Sequence, residues 1–317
     1  MVRVEPQAGP EGTRCLSAPS GDGITFIIVT WNSRRTIGRC LHTLRGEGGQ
    51  FVGPVKVIDN ASSDDTAELI AADYPEVELM RNHYNRGFAA AANRGIAGVR
   101  TPFAIILNPD TFISPQIAVE LVARLAGLPD VGIATCRLRD CRGHEHASYS
   151  LRYPGDRRSV VAHAGAGKVI DVACVYGALM AVRMQAVRQV GPLDEDFFMY
   201  YEDADWCRRM RGRGWRVVVC ADLVATHIGG ASSDGVLSRR TAERYFRSEL
   251  LFHQKRYPSG RRLWLLAKRS IAALLRLGGY SCMCAASSNP RRWRKWIRYR
   301  AQVEVLLQRA LRRDYSG

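Results

Sequence analysis

A chain of 317 residues, 46% hydrophobic and 24% charged, can bury a full core. It reads as one large domain with an appendage, not as two equal domains. Its net charge of +16 is concentrated: residues 239–317 carry 20 of the 46 Lys+Arg but 4 of the 30 Asp+Glu, leaving residues 1–238 with 26 of each.

Residues 1–22 are rich in Gly, Pro, Ser and Glu and lack an apolar run, so they read as a flexible arm and not as a secretory leader. Gly23–Thr30 is a short β-branched run that suits a strand buried on both faces. Ser33–Arg45 follows as a helix, with Ile37, Leu41 and Leu44 on one stripe and Ser33 as its N-cap. Val55–Asp59 is a second strand, and Ser62 and Ser63 are expected to cap a helix running through Leu69 and Ile70. Val77–Met80 is a third strand, Phe88–Val99 an Ala-rich helix and Phe103–Leu107 a fourth strand. This alternation predicts an α/β fold with a mostly parallel, Rossmann-like sheet. The turn after the first strand, Thr30-Trp-Asn-Ser-Arg34, lacks the G-x-G-x-x-G fingerprint of dinucleotide-binding domains, and no G-x-x-x-x-G-K phosphate loop occurs.

Further on, residues 171–182 are apolar around Gly177, Met184–Val190 reads as helical, and residues 194–205 are acidic and aromatic. A helix through Arg211 is stopped by Gly212 and Gly214, then Trp215–Cys220 is a strand and His227 precedes Gly229 and Gly230. In the tail, the apolar run Leu263–Leu277 is interrupted by Lys268, Arg269 and Arg276, so it is expected to lie on an interface and not to span a bilayer. The nine cysteines show no zinc-site spacing and suggest reduced core thiols of a cytosolic protein.

In parallel α/β sheets ligands bind beyond the carboxyl ends of strands. Three of the four strand ends carry polar side chains there: Thr30 and Asn32, Asp59 and Asn60, Asn108 and Asp110. One such residue is an ordinary turn-former or cap; three at one rim make a ligand site the better account.

Val29-Thr-Trp-Asn32, Ile58-Asp-Asn-Ala-Ser-Ser-Asp64, Asn85-Arg-Gly-Phe-Ala-Ala-Ala-Ala-Asn93 and Leu107-Asn-Pro-Asp110 resemble the family 2 inverting glycosyltransferases of GT-A fold. The acidic-aromatic run Asp194-Glu-Asp-Phe-Phe-Met-Tyr-Tyr-Glu-Asp-Ala-Asp205 and His227-Ile-Gly-Gly230 match in order and spacing. The likeness is greatest to the bacterial rhamnosyltransferase-like branch and covers roughly residues 24–235. It implies a nucleotide-diphosphate sugar donor, with dTDP-rhamnose the best guess, and a lipid-linked or cell-envelope glycan acceptor. Asp59, Thr30 and Asn32 would line the nucleobase pocket, and Asn85 and Gly87 would open a helix toward the phosphates. Asp110 matches the last carboxylate of the family's Asp-x-Asp motif and would hold Mg²⁺ or Mn²⁺ with His227, whereas Asn108 stands where the first carboxylate is expected. Asp203 would be the general base, with Glu202, Tyr200, Trp206 and Gly177 on the acceptor side.

The division implied is a flexible arm over 1–22, a catalytic domain over 23–238 and a basic, amphipathic helical extension over 239–317. The extension implies an anionic partner, best a membrane surface, which would place the protein on the cytoplasmic, inner face of the cell membrane. Assembly with another subunit is a further role open to it. A sugar nucleotidyltransferase is the alternative enzyme, but residues 31–35 lack the glycines its phosphate loop would need. Arg and Trp interleaved over residues 291–300 would also suit nucleic acid, which the carboxylate-rich rim disfavours as a substrate.

Overall fold

The computed structural model describes residues 23–160, 168–229, 239–285 and 289–313. The arm over 1–22 and Gly230 lie outside them. In chain order the elements are β1 (Ile24–Thr30), α1 (Arg34–Thr43), β2 (Val55–Asp59), α2 (Thr66–Asp73), β3 (Glu78–Arg81), α3 (Phe88–Ala97), β4 (Phe103–Leu107) and β5 (Thr111–Phe112). Then come α4 (Pro115–Gly127), β6 (Val131–Arg139), β7 (Glu145–His146), β8 (Tyr149–Ser150), β9 (Val169–Asp171), β10 (Cys174–Val175), β11 (Leu179–Arg183) and α5 (Met184–Val190). The chain ends with α6 (Glu202–Gly212), β12 (Arg216–His227), α7 (Arg239–Arg256), α8 (Ser259–Ala285) and α9 (Pro290–Arg313).

The main sheet runs β3-β2-β1-β4-β11-β6-β12-β5. β1, β2, β3 and β4 are mutually parallel, and β12 is parallel to β6. β11 is inserted antiparallel between β4 and β6, so the longer strands share one direction and the sheet is mostly parallel, as expected. Successive residues of β1 alternate between two cores: Phe26 and Ile28 face Ile37, Leu41 and Leu121, while Ile27 and Val29 face Phe88, Ala92 and Trp206. Helices therefore cover both faces, and β1, β2 and β4 are buried along their whole length, mostly by apolar side chains. α3 lies so close to the sheet that a Cβ on Gly95 would fall 2.6 Å from Ile27 Cγ2.

Two capping expectations are corrected. Ser33 occupies the N-cap of α1, but its hydroxyl donates to Trp31 O and accepts no N–H of the helix. α2 starts after Asp65, in the left-handed region at φ 59°, and Ser62 and Ser63 instead bind Asn32. The Ser33 hydroxyl thus closes on its own loop, while Ser62 and Ser63 tie the loop after β2 to the one after β1.

The described residues from 239 on form helices α7, α8 and α9, but they are not one kind of surface. α7 packs into the main core, where Phe252 joins Trp206, followed by Tyr257 and by Leu265 of α8. The other side of α8 turns Leu263, Trp264, Ile271, Leu274 and Leu275 to solvent. Among the described residues no helix is long and apolar enough to cross a membrane.

Candidate active site

The carboxyl ends of β1 and β2 are locked to each other. Thr30 donates its hydroxyl to Asp59 Oδ1 at 3.1 Å, and Ser62 N–H donates to Asp59 Oδ2 at 3.0 Å. Both Thr30 and Asp59 are buried, so they form the floor behind the rim. Asn32, at φ 50°, donates its N–H to Ser62 Oγ and accepts from Ser63 N–H, holding the two loops together. Asn60 fastens the loop before α3: its amide donates to Asn85 Oδ1 at 2.9 Å and Gly87 O at 3.1 Å, and its oxygen accepts from Arg86 N–H.

Gly87 has φ 83°, and a Cβ there would sit 2.3 Å from Phe198 O, a carbonyl that accepts from Phe88 N–H. Glycine is required for this contact between α3 and the 194–201 segment. It also occupies the Phe88 N–H, one of the donors an N-terminal phosphate site would use. A pocket of about 270 Å³ lies above, lined by Trp31, Asn60, Asn85, Gly87, Asn108, Asp110, His227 and Arg244 among others. Thr30, Asn32 and Asp59 stand behind or beside it.

β5 pairs with the end of β12 so that Thr111 faces His227, and this register brings Asp110 to the imidazole. Asp110 Oδ1 lies 3.3 Å from His227 Nε2, and Asp110 is only 4% exposed. The His146 ring meets His227 edge-on at 5.6 Å. Asn108 borders both the small pocket and the larger cleft. A carboxylate oxygen and an imidazole nitrogen facing one another could hold a divalent cation. Among the described residues no group of three His, Cys, Asp or Glu gathers as a metal site, so diphosphate or water oxygens would complete any shell.

The larger cleft, about 590 Å³, adjoins this pocket across Phe88, Asn108, Tyr200 and His227. At its base α6 begins with Glu202 and Asp203. Asp203 Oδ2 accepts from Gly177 N–H at 3.0 Å, and Oδ1 accepts from Ala204 N–H at 2.7 Å. Burial raises the Asp203 pKa, only partly offset by these two N–H bonds. Burial and then the Asp203 charge push Glu202 well above the usual carboxylate range, and its Oε2 is buried without a partner. Tyr200 and Tyr201 precede the helix at φ 72° and 69°, each left-handed residue costing about 1–3 kcal/mol. α7 holds them there: Tyr201 packs on Tyr245 and Phe252 at 5.2 and 5.8 Å, and Ser248 donates to Met199 O at 2.7 Å.

Two members of the acidic-aromatic run belong elsewhere. Trp206, placed on the acceptor side from sequence, is fully buried and does not line the cleft. Its indole N–H donates to Gly191 O, and one helical step beyond Asp203 it points into the core. Asp205 is fully buried as well and pairs with Arg209 and with Arg256 of α7. Lys255 likewise bonds Asp194 and Asp196. Part of the run is thus the counter-charge that docks α7.

Sequence reasoning missed the residues that α7 and α8 bring to the cleft: Arg244, Tyr245, Glu249 and Arg269. Arg269 donates its Nε to Glu249 Oε1 at 3.0 Å, and Glu249 is 5% exposed. One signal was available. Glu249 is one of only two acids in α7, and it sits in the helical stripe Ala242, Tyr245 or Phe246, Glu249, Phe252.

A family model described as Glycosyltransferase like family 2 matches residues 19–245. Over 234 residues the chain is 27% identical to an N-acetylglucosaminyl-diphospho-decaprenol L-rhamnosyltransferase of Mycobacterium tuberculosis, covering 65% of this chain and 76% of that protein. It is 25% identical over 222 residues to the low-salt glycan biosynthesis hexosyltransferase Agl10 of Haloferax volcanii, covering 65% and 67%. Among solved structures, a mannosyltransferase from Pyrobaculum calidifontis in complex with GDP-mannose and Mn²⁺ superposes with a TM-score of 0.57. That superposition covers 91% of this chain and 87% of the other at 17% identity, a likeness of fold.

Proposed function

The chain belongs to glycosyltransferase family 2, a hexosyltransferase acting on a nucleotide sugar, and we propose that it inverts the anomeric centre while transferring the sugar to a lipid-linked glycan. The donor we assign is dTDP-rhamnose and the acceptor a diphosphate-linked sugar of the cell envelope, following the name of the M. tuberculosis relative. The observation that carries the reading is the continuity of the two cavities. Asp110 and His227 line one, Asp203 lines the other, and Asn108, Tyr200 and His227 border both.

In this reading Asp203 takes the proton of the acceptor hydroxyl as that oxygen attacks the anomeric carbon opposite the leaving diphosphate. Gly177 and Ala204 N–H groups fix the carboxylate, and burial lifts its basicity toward the working range. Glu202, held protonated by burial and by Asp203, keeps the pair at a single negative charge. The small pocket takes the nucleotide, with Trp31 offering a flat face and Asn85 and Gly87 a close backbone. Asp59, Thr30 and Asn32 do not line it but brace the loops that carry Trp31 and Asn60. Asp110 and His227 would hold Mg²⁺ or Mn²⁺, which would neutralise charge growing on the leaving diphosphate. The exposed apolar residues of α8 beside a basic tail support attachment to an anionic membrane surface, on the side where nucleotide sugars are made.

Incubation with labelled dTDP-rhamnose and Mn²⁺ or Mg²⁺ tests the activity. Slow donor hydrolysis, faster on adding a lipid-linked acceptor and lost with EDTA, is the expected result. Turnover that ignores EDTA removes the metal from the reading, and no turnover of any nucleotide sugar removes the reading. Co-sedimentation with phosphatidylglycerol vesicles, weakening as salt screens charge beyond about 10 Å at 0.1 M, tests the attachment.

A further inference from the structure

A third cavity, about 540 Å³, lies between the turn at residues 155–158 and the start of α8, lined by Gly155, Asp156, Arg157, Arg158, Arg261 and Trp264. Gly155 also lines the larger cleft, so the groove leads out of the end of the cleft formed by that turn. We propose that this groove is a subsite for the phosphate ester of the acceptor; the proposal rests on reading the acceptor as a lipid-linked diphosphate.

The turn is held firmly. Gly155 has φ 86°, and a Cβ there would meet Leu265 Cδ1 at 3.0 Å and His253 Nε2 at 3.2 Å. Arg261 donates to Gly155 O at 3.0 Å and to Asp156 Oδ1 at 2.6 Å. The Tyr257 hydroxyl lies 2.7 Å from Pro154 O and 2.8 Å from Asp156 Oδ1. Arg208 approaches the other Asp156 oxygen at 3.7 Å.

These contacts settle the charge. Asp156, the groove's only acid, is already shared between Arg261 and Arg208. Arg157 and Arg158 have no carboxylate partner among the described residues, and Arg157 lies over the Trp264 ring at 5.1 Å. Beneath the turn, burial and then Arg269 and Arg261 hold His253 neutral, its pKa pushed down to about 4. Two guanidinium groups without a carboxylate partner, one of them stacked over Trp264, match the planar, bidentate demands of a phosphate ester. A monoanion would leave the site positive; a diphosphate matches it better.

The position suits the acceptor and not the donor. Asp203 and Gly155 line the same cleft, so a sugar with its hydroxyl at Asp203 would extend its linked end toward the groove. The nucleotide pocket shares no lining residue with the groove. Leu263 beside Trp264, and Ile271, Leu274 and Leu275 further along α8, are exposed where a prenyl chain would run.

The test uses the full chain and farnesyl diphosphate below its micellar concentration, followed by titration calorimetry, with inorganic diphosphate, farnesol and dTDP as separate arms. R157E/R158E should keep its melting temperature and its donor hydrolysis, yet lose roughly tenfold or more in farnesyl diphosphate affinity, the loss of one or two charge-assisted bonds. R157K/R158K, which keeps charge without the guanidinium fork, should lose less. Affinity for dTDP should not change in either. Unchanged farnesyl diphosphate binding in R157E/R158E overturns the proposal, and so does an equal fall in dTDP affinity, which would mark a general field effect. Equal affinity for inorganic diphosphate and farnesyl diphosphate overturns the assignment to a lipid ester. Loss of phosphatidylglycerol-vesicle binding alone would assign the two arginines to bilayer headgroups and overturn it too. Failure of the wild-type chain to hydrolyse any nucleotide sugar is read separately and strikes the function, not the groove.

Discussion

The half of the cleft at the strand ends and the half at α6 are built in different ways. The first draws on the last residues of β1 and β2 and on the turns after β1, β2 and β4; Thr30 on Asp59 and Asn60 on Asn85 and Gly87 are pairs within the β1–α3 stretch, and only Asp110 reaches far along the chain, to His227 of β12. The second needs a strained approach to α6, a glycine N–H from the loop before β11, and two walls from helices 40 to 65 residues later. Burial raises the pKa of its two acids, Glu202 and Asp203. α7 lends Thr241 and Arg244 to the first half, but it holds the strained approach of the second, so loosening α7 should reach the second half more. This contrast can be probed directly.

The largest effect is expected at Asp203. Asp203→Asn should cut kcat by roughly 10²–10⁴-fold while nucleotide affinity and melting temperature stay close to wild type. Activity close to wild type in that variant would move the base to Glu202. Because burial raises the Asp203 pKa, the acid limb of the kcat/KM profile should lie above the ordinary range of an aspartate. The base works only after losing its proton, so rate falls as pH drops through that raised value.

At the other half, Asp110→Ala should weaken donor affinity by roughly tenfold or more, and only with divalent metal present; His227→Ala should do so more mildly. Titration calorimetry with and without EDTA checks both. An equal loss in metal-free buffer would show that Asp110 meets the donor without an ion.

Asp205→Ala tests the long-range assembly. It removes the buried carboxylate that Arg209 and Arg256 share and should cost about 3 kcal/mol of stability, with activity falling as α7 loosens. Denaturant unfolding measures it, and nucleotide binding should fall less than turnover, since α7 adds only Thr241 and Arg244 to that pocket. If binding and turnover fail together, the two halves are one cooperative unit and the contrast dissolves.

The smallest effect concerns His253 in α7. Its folded pKa, about 4, lies below the ordinary 6.5, so the unfolded chain binds the extra proton between those values. Stability should therefore decline as pH falls from 6.5 toward 4, and His253→Leu should flatten that slope. A slope unchanged in the variant would assign the acid sensitivity to other groups.

Sequence by itself determined what depends on periodicity and on short range. The parallel run β1 to β4 was legible because strands buried on both faces are mostly apolar runs, and the helices between them have one apolar stripe. The rim residues were legible because polar side chains at those strand ends have little else to do. Residues 111–170, without a clean period, gave no elements in advance, although Ser114 caps α4 with Pro115 at its first turn. The capping choices went the other way because Ser62 and Ser63 found Asn32 in another loop and the Ser33 hydroxyl closed on Trp31 O in its own. Tertiary structure alone decided that Trp206 is core and Asp205 an anchor while Asp203 faces the cleft, since those residues differ only by their angle around α6. It also decided that α7 and one side of α8, with Leu265 and Arg269, wall the core and the cleft while the other side of α8 is a surface. Both helices are basic and amphipathic in sequence; which face meets protein and which meets solvent depends on buried partners such as Asp205 and Phe197 that lie far away along the chain.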